Sequence, residues 1–331
     1  MNNLKEKFKR STFIVNKIYL FLIFIFLTVS DFTLGFVYFL MSAFIYMWKT
    51  LTYKVPMDVN CDIKVDTFTY KETEDKDLKL DLYYPPYKTR QKQPLVYFCH
   101  GGGWISGFRN QPNNISWCKF LASKGFIVSS IDYRYGYKND MEDILSDYTE
   151  GLKFLKDRSE ELGIDKDNII LMGLSAGGHL SLLYASYNSF LDHEDKIEGI
   201  KAVVGYYSPS NLKDIFTSDN KSLFAKFGAA RTLNGRPTEI EEIYDYYSPI
   251  NWVSEKMLPT LLVHGKEDNT VPFSSSVNLV KRLKNLGVNT EFYVHKHAGH
   301  SFDTRFKDLT TINILEKTVR YLKKSVSGDN K

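Results

Sequence analysis

Residues 168–187 read Asn-Ile-Ile-Leu-Met-Gly-Leu-Ser-Ala-Gly-Gly-His-Leu-Ser-Leu-Leu-Tyr-Ala-Ser-Tyr. The apolar run at the start has the length of a buried strand, and the stretch from His179 onward reads as a helix. Between them lies Gly173-Leu174-Ser175-Ala176-Gly177, a serine with a glycine two residues away on either side. A serine at a sharp strand-to-helix turn is lifted above the sheet edge. Glycines suit both flanks because a side chain there would strike the neighbouring strand or helix. The pentapeptide alone is a weak signal, since an ordinary Gly/Ser turn produces it too; its strand and helix flanks give it weight.

Working outward, the same alternation recurs. IKVDTFTY (63–70) and LKLDLYY (78–84) alternate with period two, as an antiparallel pair at a sheet edge does. LVYFCH (95–100), FIVSSID (126–132), IKAVVGYY (200–207), PTLLVHG (259–265) and TEFYVHK (290–296) are further short strands. Helical spacing links Ile144, Leu145, Tyr148, Leu152 and Leu155, and again Val277, Val280 and Leu283. With the strand at 168–173 this predicts an α/β domain over 63–327: a mostly parallel eight-stranded sheet with helices on both faces. Residues 209–250 form a long, weakly periodic stretch between two strands. With Phe216, Phe224, Phe227 and Tyr244 it reads equally as an apolar cap over a site or as a satellite core.

The 331 residues are 43% hydrophobic and 15% aromatic, enough for a large core and unlike a disordered chain. Of 43 basic and 39 acidic residues, Lys5, Lys7, Lys9, Arg10, Lys17 and Glu6 lie in the first seventeen, so the remainder balances at 38 against 38. No basic face for nucleic acid follows from that. Cys61, Cys99 and Cys118 are too few and too scattered for a disulfide framework or a zinc site.

The basic tail 1–17 precedes an apolar run, 18–48, interrupted only at Ser30-Asp31. Its 31 residues, roughly 46 Å as one helix, exceed the ~20 that a bilayer core requires. The reading is a single tilted or kinked N-terminal membrane helix, with a cleaved signal peptide ending near Thr28-Val29-Ser30 as the competitor. Five basic residues before the run against Lys49, Lys54 and Lys64 after it place the following domain on the extracytoplasmic side, beyond a connector at 49–62.

Three segments carry chemistry. Ser175 is a candidate nucleophile. His100-Gly101-Gly102-Gly103-Trp104 follows a buried strand, and its glycines let backbone N–H groups approach an oxygen closely; with the Ala176 amide they would hold an oxyanion. Trp104 either lines a substrate pocket or packs. Asp268 follows the strand PTLLVHG at the same sheet edge and is the candidate acid, with Glu267 its rival. His300, after Gly299, is the candidate base, with His297 second.

The order Ser175, Asp268, His300, with the glycine loop upstream, resembles the α/β-hydrolase fold, specifically esterases and lipases with an HGGGW oxyanion loop, acetyl-esterase or feruloyl-esterase-like and related to hormone-sensitive-lipase-like enzymes. Asp132-Tyr133-Arg134, Ser208-Pro209-Ser210-Asn211-Leu212 and Tyr247-Ser248-Pro249-Ile250 extend the match from about 75 to 325. The resemblance implies Ser175 as nucleophile, Asp268 as acid, His300 as base, and the amides of Gly102, Gly103 and Ala176 as oxyanion donors. It implies hydrolysis of small-molecule carboxylic esters, expected to be of short acyl chain, needing neither metal nor organic cofactor. YGYKND after Arg134 replaces the Ala-Pro-Glu of many hormone-sensitive-lipase-like esterases, which leaves the substrate open. An amidase, formamidase or aminopeptidase-like hydrolase, a lipid-directed lipase, and a non-catalytic recognition domain are the alternatives.

Overall fold

The computed structural model describes residues 36–38, 40–41, 53–87, 91–218 and 220–327. The chain divides into two units, Met1–Tyr53 and Lys54–Lys331. In the first, residues 36–38 and 40–41 are helical; the expected tail and most of the expected anchor lie outside the described residues. Among those described, no helix is long and apolar enough to cross a membrane.

The second unit is built on eight strands: β1 (Val65–Lys71), β2 (Leu78–Tyr83), β3 (Gln93–Cys99), β4 (Ile127–Ile131), β5 (Ile164–Leu174), β6 (Ile200–Tyr206), β7 (Thr260–Gly265) and β8 (Thr290–His295). They pair in the order β1-β2-β4-β3-β5-β6-β7-β8. β2 is antiparallel to both β1 and β4, and the remaining pairs are parallel. The expected edge pair is therefore β1–β2. The helices are α1 (Pro112–Ala122), α2 (Met141–Asp157), α3 (Ser159–Leu162), α4 (Ala176–Phe190), α5 (Glu194–Ile197), α6 (Leu223–Thr232), α7 (Glu241–Tyr246), α8 (Phe273–Asn285), α9 (Phe302–Arg305) and α10 (Leu309–Val326).

Strand alternation sorts the core into two layers. Leu95, Tyr97, Ile169 and Leu171 face a cluster with Ile144, Tyr148, Leu152 and Leu155 of α2, Leu180 of α4 and Leu283 of α8. Val96, Phe98, Ile170 and Met172 face the other cluster, with Trp117 and Leu121 of α1 and Leu315 and Leu322 of α10. Helices thus cover both faces, and each fully buried aliphatic side chain contributes about 1.5–3 kcal/mol of burial. α2 begins with a capping box, in which Asp140 accepts from the Asp143 N–H at 2.9 Å and Asp143 accepts from the Asp140 N–H at 3.4 Å.

One expectation needs correction. In α8 the buried face runs through Leu279, Val280 and Leu283, while Val277 is 38% exposed. Two successive three-residue steps drift off a 3.6-residue face, and Leu279 keeps to it. The connector packs on the domain it leads into: Val55 is buried in the second cluster with Met57 and Val59 against it, and Ser116 Oγ accepts from the Val55 N–H at 2.9 Å.

Buried charge ties the loops to this frame. Arg109 binds Asp81 at 3.0 Å and Asp132 at 2.7 Å, and its carbonyl accepts from Ser130 Oγ. Arg134 grips the fully buried Asp147 at 2.9 Å, a carboxylate that also meets Lys71 at 2.9 Å. Breaking such a group strands a charge with little water around it. Arg109→Ala is expected to cost about 2–3 kcal/mol in urea unfolding, since it leaves Asp81 and Asp132 facing one another.

Two histidines are buried neutral. Burial pushes His100 and His179 down to about 4 each, against the opposing pull of the Gly101 and Tyr247 carbonyls on their ring N–H groups. The unfolded chain takes up both protons near the ordinary pKa of about 6.5, so stability is intact above that pH and falls as pH drops toward 4. Urea unfolding at pH 5 is expected to show roughly 2 kcal/mol less stability per histidine than at pH 7.

Candidate active site

Ser175 sits where β5 passes into α4, at φ 51° and ψ −116°, with its N–H donated to the Tyr206 carbonyl at 2.8 Å. A non-glycine residue at positive φ is strained, and here the packing around it imposes the conformation. A Cβ on Gly173 would lie 2.3 Å from the Gly177 carbonyl carbon, and one on Gly177 would lie 2.2 Å from the Cys99 oxygen. Both glycines of the motif are therefore required by contact, as the turn demands.

The other two side chains come from the ends of β7 and β8. The two loops are stitched together, Lys266 N–H donating to the His295 carbonyl and Glu267 N–H to the Ala298 carbonyl, both at 2.9 Å. Asp268 Oδ1 accepts from the Thr270 and Val271 N–H groups at 2.7 and 3.0 Å. Its Oδ2 lies 2.7 Å from His300 Nδ1, and His300 Nε2 lies 3.0 Å from Ser175 Oγ. Nδ1 faces a carboxylate and so carries the proton, which turns the Nε2 lone pair toward the serine hydroxyl. Burial alone would raise Asp268, but the charge of His300 and the hydrogen bonds of His264 and His300 outweigh it and hold the carboxyl far below its ordinary range. The rivals, Glu267 and His297, are turned to each other at 4.0 Å.

The glycine loop presses on the serine. A Cβ on Gly101 would meet the Leu174 carbonyl oxygen at 3.0 Å and Ser175 Cβ at 3.3 Å. Gly102 has φ 128°, and a Cβ there would fall 1.9 Å from the Ser106 carbonyl oxygen, while its own carbonyl accepts from the Ile105 and Ser106 N–H groups. Among the described residues, no backbone carbonyl accepts from the N–H groups of Gly102 or Gly103. Ala176 stands first in α4, where an N–H has no acceptor within the helix. Trp104, at φ 62°, is 2% exposed and meets His179 edge-on at 5.1 Å, so it packs into the core.

The 209–250 stretch contains α6 and α7 between two short 3₁₀ turns. The four aromatic residues singled out in it, Phe216, Phe224, Phe227 and Tyr244, divide. Tyr244 is fully buried with Phe216 against it, ring centroids 5.5 Å apart. Phe224 and Phe227, by contrast, are 50% and 60% exposed on α6. α6 touches the glycine loop, since a Cβ on Gly103 would stand 3.0 Å from the Phe224 ring and one on Gly228 would stand 2.6 Å from the Gly103 carbonyl.

Three residues near the site escaped the sequence reading. Tyr207, at φ 39°, lays its ring 4.6 Å from that of His300 and donates its hydroxyl to Asp303 at 2.8 Å. Asp303, which burial pushes up, also accepts from Trp117 Nε1 at 2.6 Å. His264, buried within the strand run PTLLVHG, reaches Asp268 Oδ2 at 3.1 Å. Only Asp303, three residues beyond His300, offered a signal through its position.

Comparison with known proteins finds esterases. The BD-FAE family model matches residues 80–283, more than half of the chain. The chain is 27% identical over 236 residues to the isoprenylcysteine alpha-carbonyl methylesterase ICME of Arabidopsis thaliana, covering 67% of this chain and 53% of that one. It is 28% identical over 235 residues to esterase LipC of Mycobacterium tuberculosis, covering 68% and 57% respectively. The chain thus spans little more than half the length of these relatives. Among solved structures, Thermogutta terrifontis esterase 2 shares the fold with a TM-score of 0.62 at 24% identity, over 82% of this chain and 95% of that one. With an eight-stranded, mostly parallel sheet and the match over 80–283, the chain belongs to the BD-FAE family of α/β-hydrolase esterases.

Proposed function

We propose that this protein is a serine hydrolase that cleaves short-chain carboxylic esters through an acyl-enzyme on Ser175. The observation that carries the reading is the unbroken hydrogen-bonded line from Ser175 Oγ through His300 to Asp268, with spans of 3.0 and 2.7 Å. The esterase relatives support the same bond type.

The chemistry follows from the contacts. As Ser175 Oγ attacks the ester carbonyl carbon, His300 Nε2 takes its proton, and the N–H groups of Gly102, Gly103 and Ala176 receive the oxyanion. Asp268 holds the imidazole in the tautomer that accepts this proton and stabilises the imidazolium. Collapse breaks the bond to the leaving alcohol, which receives the proton from His300. Water then repeats the sequence, giving a proton to His300 as its oxygen joins the acyl carbon. The proton returns to Ser175 Oγ as the carboxylic acid departs. Amides pass through the same tetrahedral intermediate.

One observation favours a lipid-directed version of this reaction. Leu223, Phe224 and Phe227 on α6 are 81%, 50% and 60% exposed, and Phe224 flanks Gly103. Together with the apolar run 18–48, they would suit an ester with a long apolar group, α6 acting as the cap. The same run supports a membrane anchor that leaves the catalytic domain on the extracytoplasmic side, a reading that protease protection of membrane-bound full-length protein tests.

Ser175→Ala is expected to lower kcat/KM by about 10⁴ or more with the fold intact; residual turnover above about 1% would remove Ser175 from the reaction. Across a p-nitrophenyl series from acetate to palmitate, turnover is expected to peak at the short esters. A peak at the long ones, lost in Phe224→Ala, would establish the lipid-directed reading instead.

A further inference from the structure

The acid of the site has a second imidazole on it. His264 is fully buried, with Nε2 3.1 Å from Asp268 Oδ2 and 3.2 Å from the Val271 carbonyl, and Nδ1 2.7 Å from Ser276 Oγ. Both neighbours of Nε2 are acceptors without a proton of their own, so Nε2 carries the hydrogen; Nδ1 faces a hydroxyl that can donate to it. Phe273 closes the ring from the side at 5.6 Å. The titratable groups facing this pair are few. His300 comes from the loop after β8, Asp268 itself from the loop after β7, and α8 presents only Phe273 and Ser276. Asp303 on α9 bears on His300 from beyond Tyr207.

We propose that His264 is a positioning residue for the Asp268 carboxylate, donating from Nε2 to the same oxygen that receives His300. This rests on the roles given to Asp268 and His300 under Proposed function. The turn amides of Thr270 and Val271 occupy Oδ1, and His300 occupies one side of Oδ2. A carboxylate with no exposed side-chain surface has no water to fill its remaining lone pair, and His264 fills it. Two consequences follow. The carboxylate plane is held from both ends, which keeps the His300 ring aimed at Ser175. The second donor also withdraws negative charge from Oδ2, so His300 meets a tempered carboxylate and gives up its proton more readily.

The test uses the full chain and two variants. His264→Leu is expected to lower kcat about tenfold to a hundredfold. KM should barely move, because His264 touches no substrate. The acid limb of the kcat/KM profile should move to higher pH by about half a unit or more, because an untempered carboxylate favours the charged imidazole. His264→Gln, whose side-chain amide can donate to the same oxygen, should restore most of both. If His264→Leu does not fold, His264→Asn, whose shorter amide stops short of Oδ2, serves as the donor-free variant. A folded donor-free variant with the wild-type kcat and pH profile would overturn the proposal. So would ¹⁵N-histidine spectra of Ser175→Ala in which His264 is protonated at Nδ1 alone, for Nε2 could then donate nothing. Those spectra are independent of turnover: if the wild-type protein hydrolyses no ester, the hydrolase reading fails and the tautomer of His264 still decides this hydrogen bond.

Discussion

Where α4 leaves the sheet, the backbone of Gly177 runs so close to the end of β3 that an added Cβ would stand 2.2 Å from the Cys99 carbonyl oxygen. That approach fixes how far α4 can settle onto the sheet, and with it the angle at which Ser175 projects. It also sets the glycine loop, because His100 follows Cys99 directly and Gly101 then passes so near the serine that a Cβ on it would stand 3.3 Å from that of Ser175. Serine and loop amides are thus neighbours through one steric constraint, imposed by Gly177, which admits nothing larger without displacing backbone, and tightened by Gly101, where a side chain would press on the serine turn.

Three consecutive residues after β4 then lock the loop in place. Asp132 takes the Arg109 guanidinium and the Arg109 N–H at the loop's far end. Tyr133 stacks on the His100 ring at 4.4 Å and donates to its carbonyl. Arg134 anchors the turn to α2 through Asp147. Each bond carries ordinary energy, and the charged ones offset a desolvation cost as they form. Their combined effect is orientation, which a site that stabilises developing charge needs more than it needs added stability.

Much of this was legible in the sequence because the signals are local. Strand patterning placed all eight strands within a few residues, and the Gly-x-Ser-x-Gly and His-Gly-Gly-Gly segments each follow a buried strand, whereas Asp268 and His300 kept Glu267 and His297 as rivals until the fold brought the first pair together. What stayed hidden depends on contacts distant in sequence. Val55 sits in a stretch without periodicity, with Met57 and Val59 nearby, and only the far side of the sheet gives it a core to enter. Phe216 and Phe224 look alike in the sequence, yet one packs on Tyr244 and the other stands beside Gly103. Asn114 and Asn220 belong to formal glycosylation sequons. In the fold both are buried and donate their amides to backbone carbonyls, so the sequon is spent on structure. His264 was concealed by its own strand, where an apolar run disguises one polar member.

The base and the acid are carried on loops that leave β7 and β8, and β8 closes the sheet with a neighbour on one side only. An edge strand is the part of a sheet that detaches at the lowest free-energy cost, well before the central strands separate. His300 therefore hangs from one of the sheet's two margins, while Ser175 stands at the end of an interior strand. Heat or denaturant would then silence the chemistry by peeling that margin away, through a partly open species that keeps the serine turn, both core layers and most of its helical signal. Resistance to inactivation in this fold is thus a property of the β7–β8 seam more than of the hydrophobic centre.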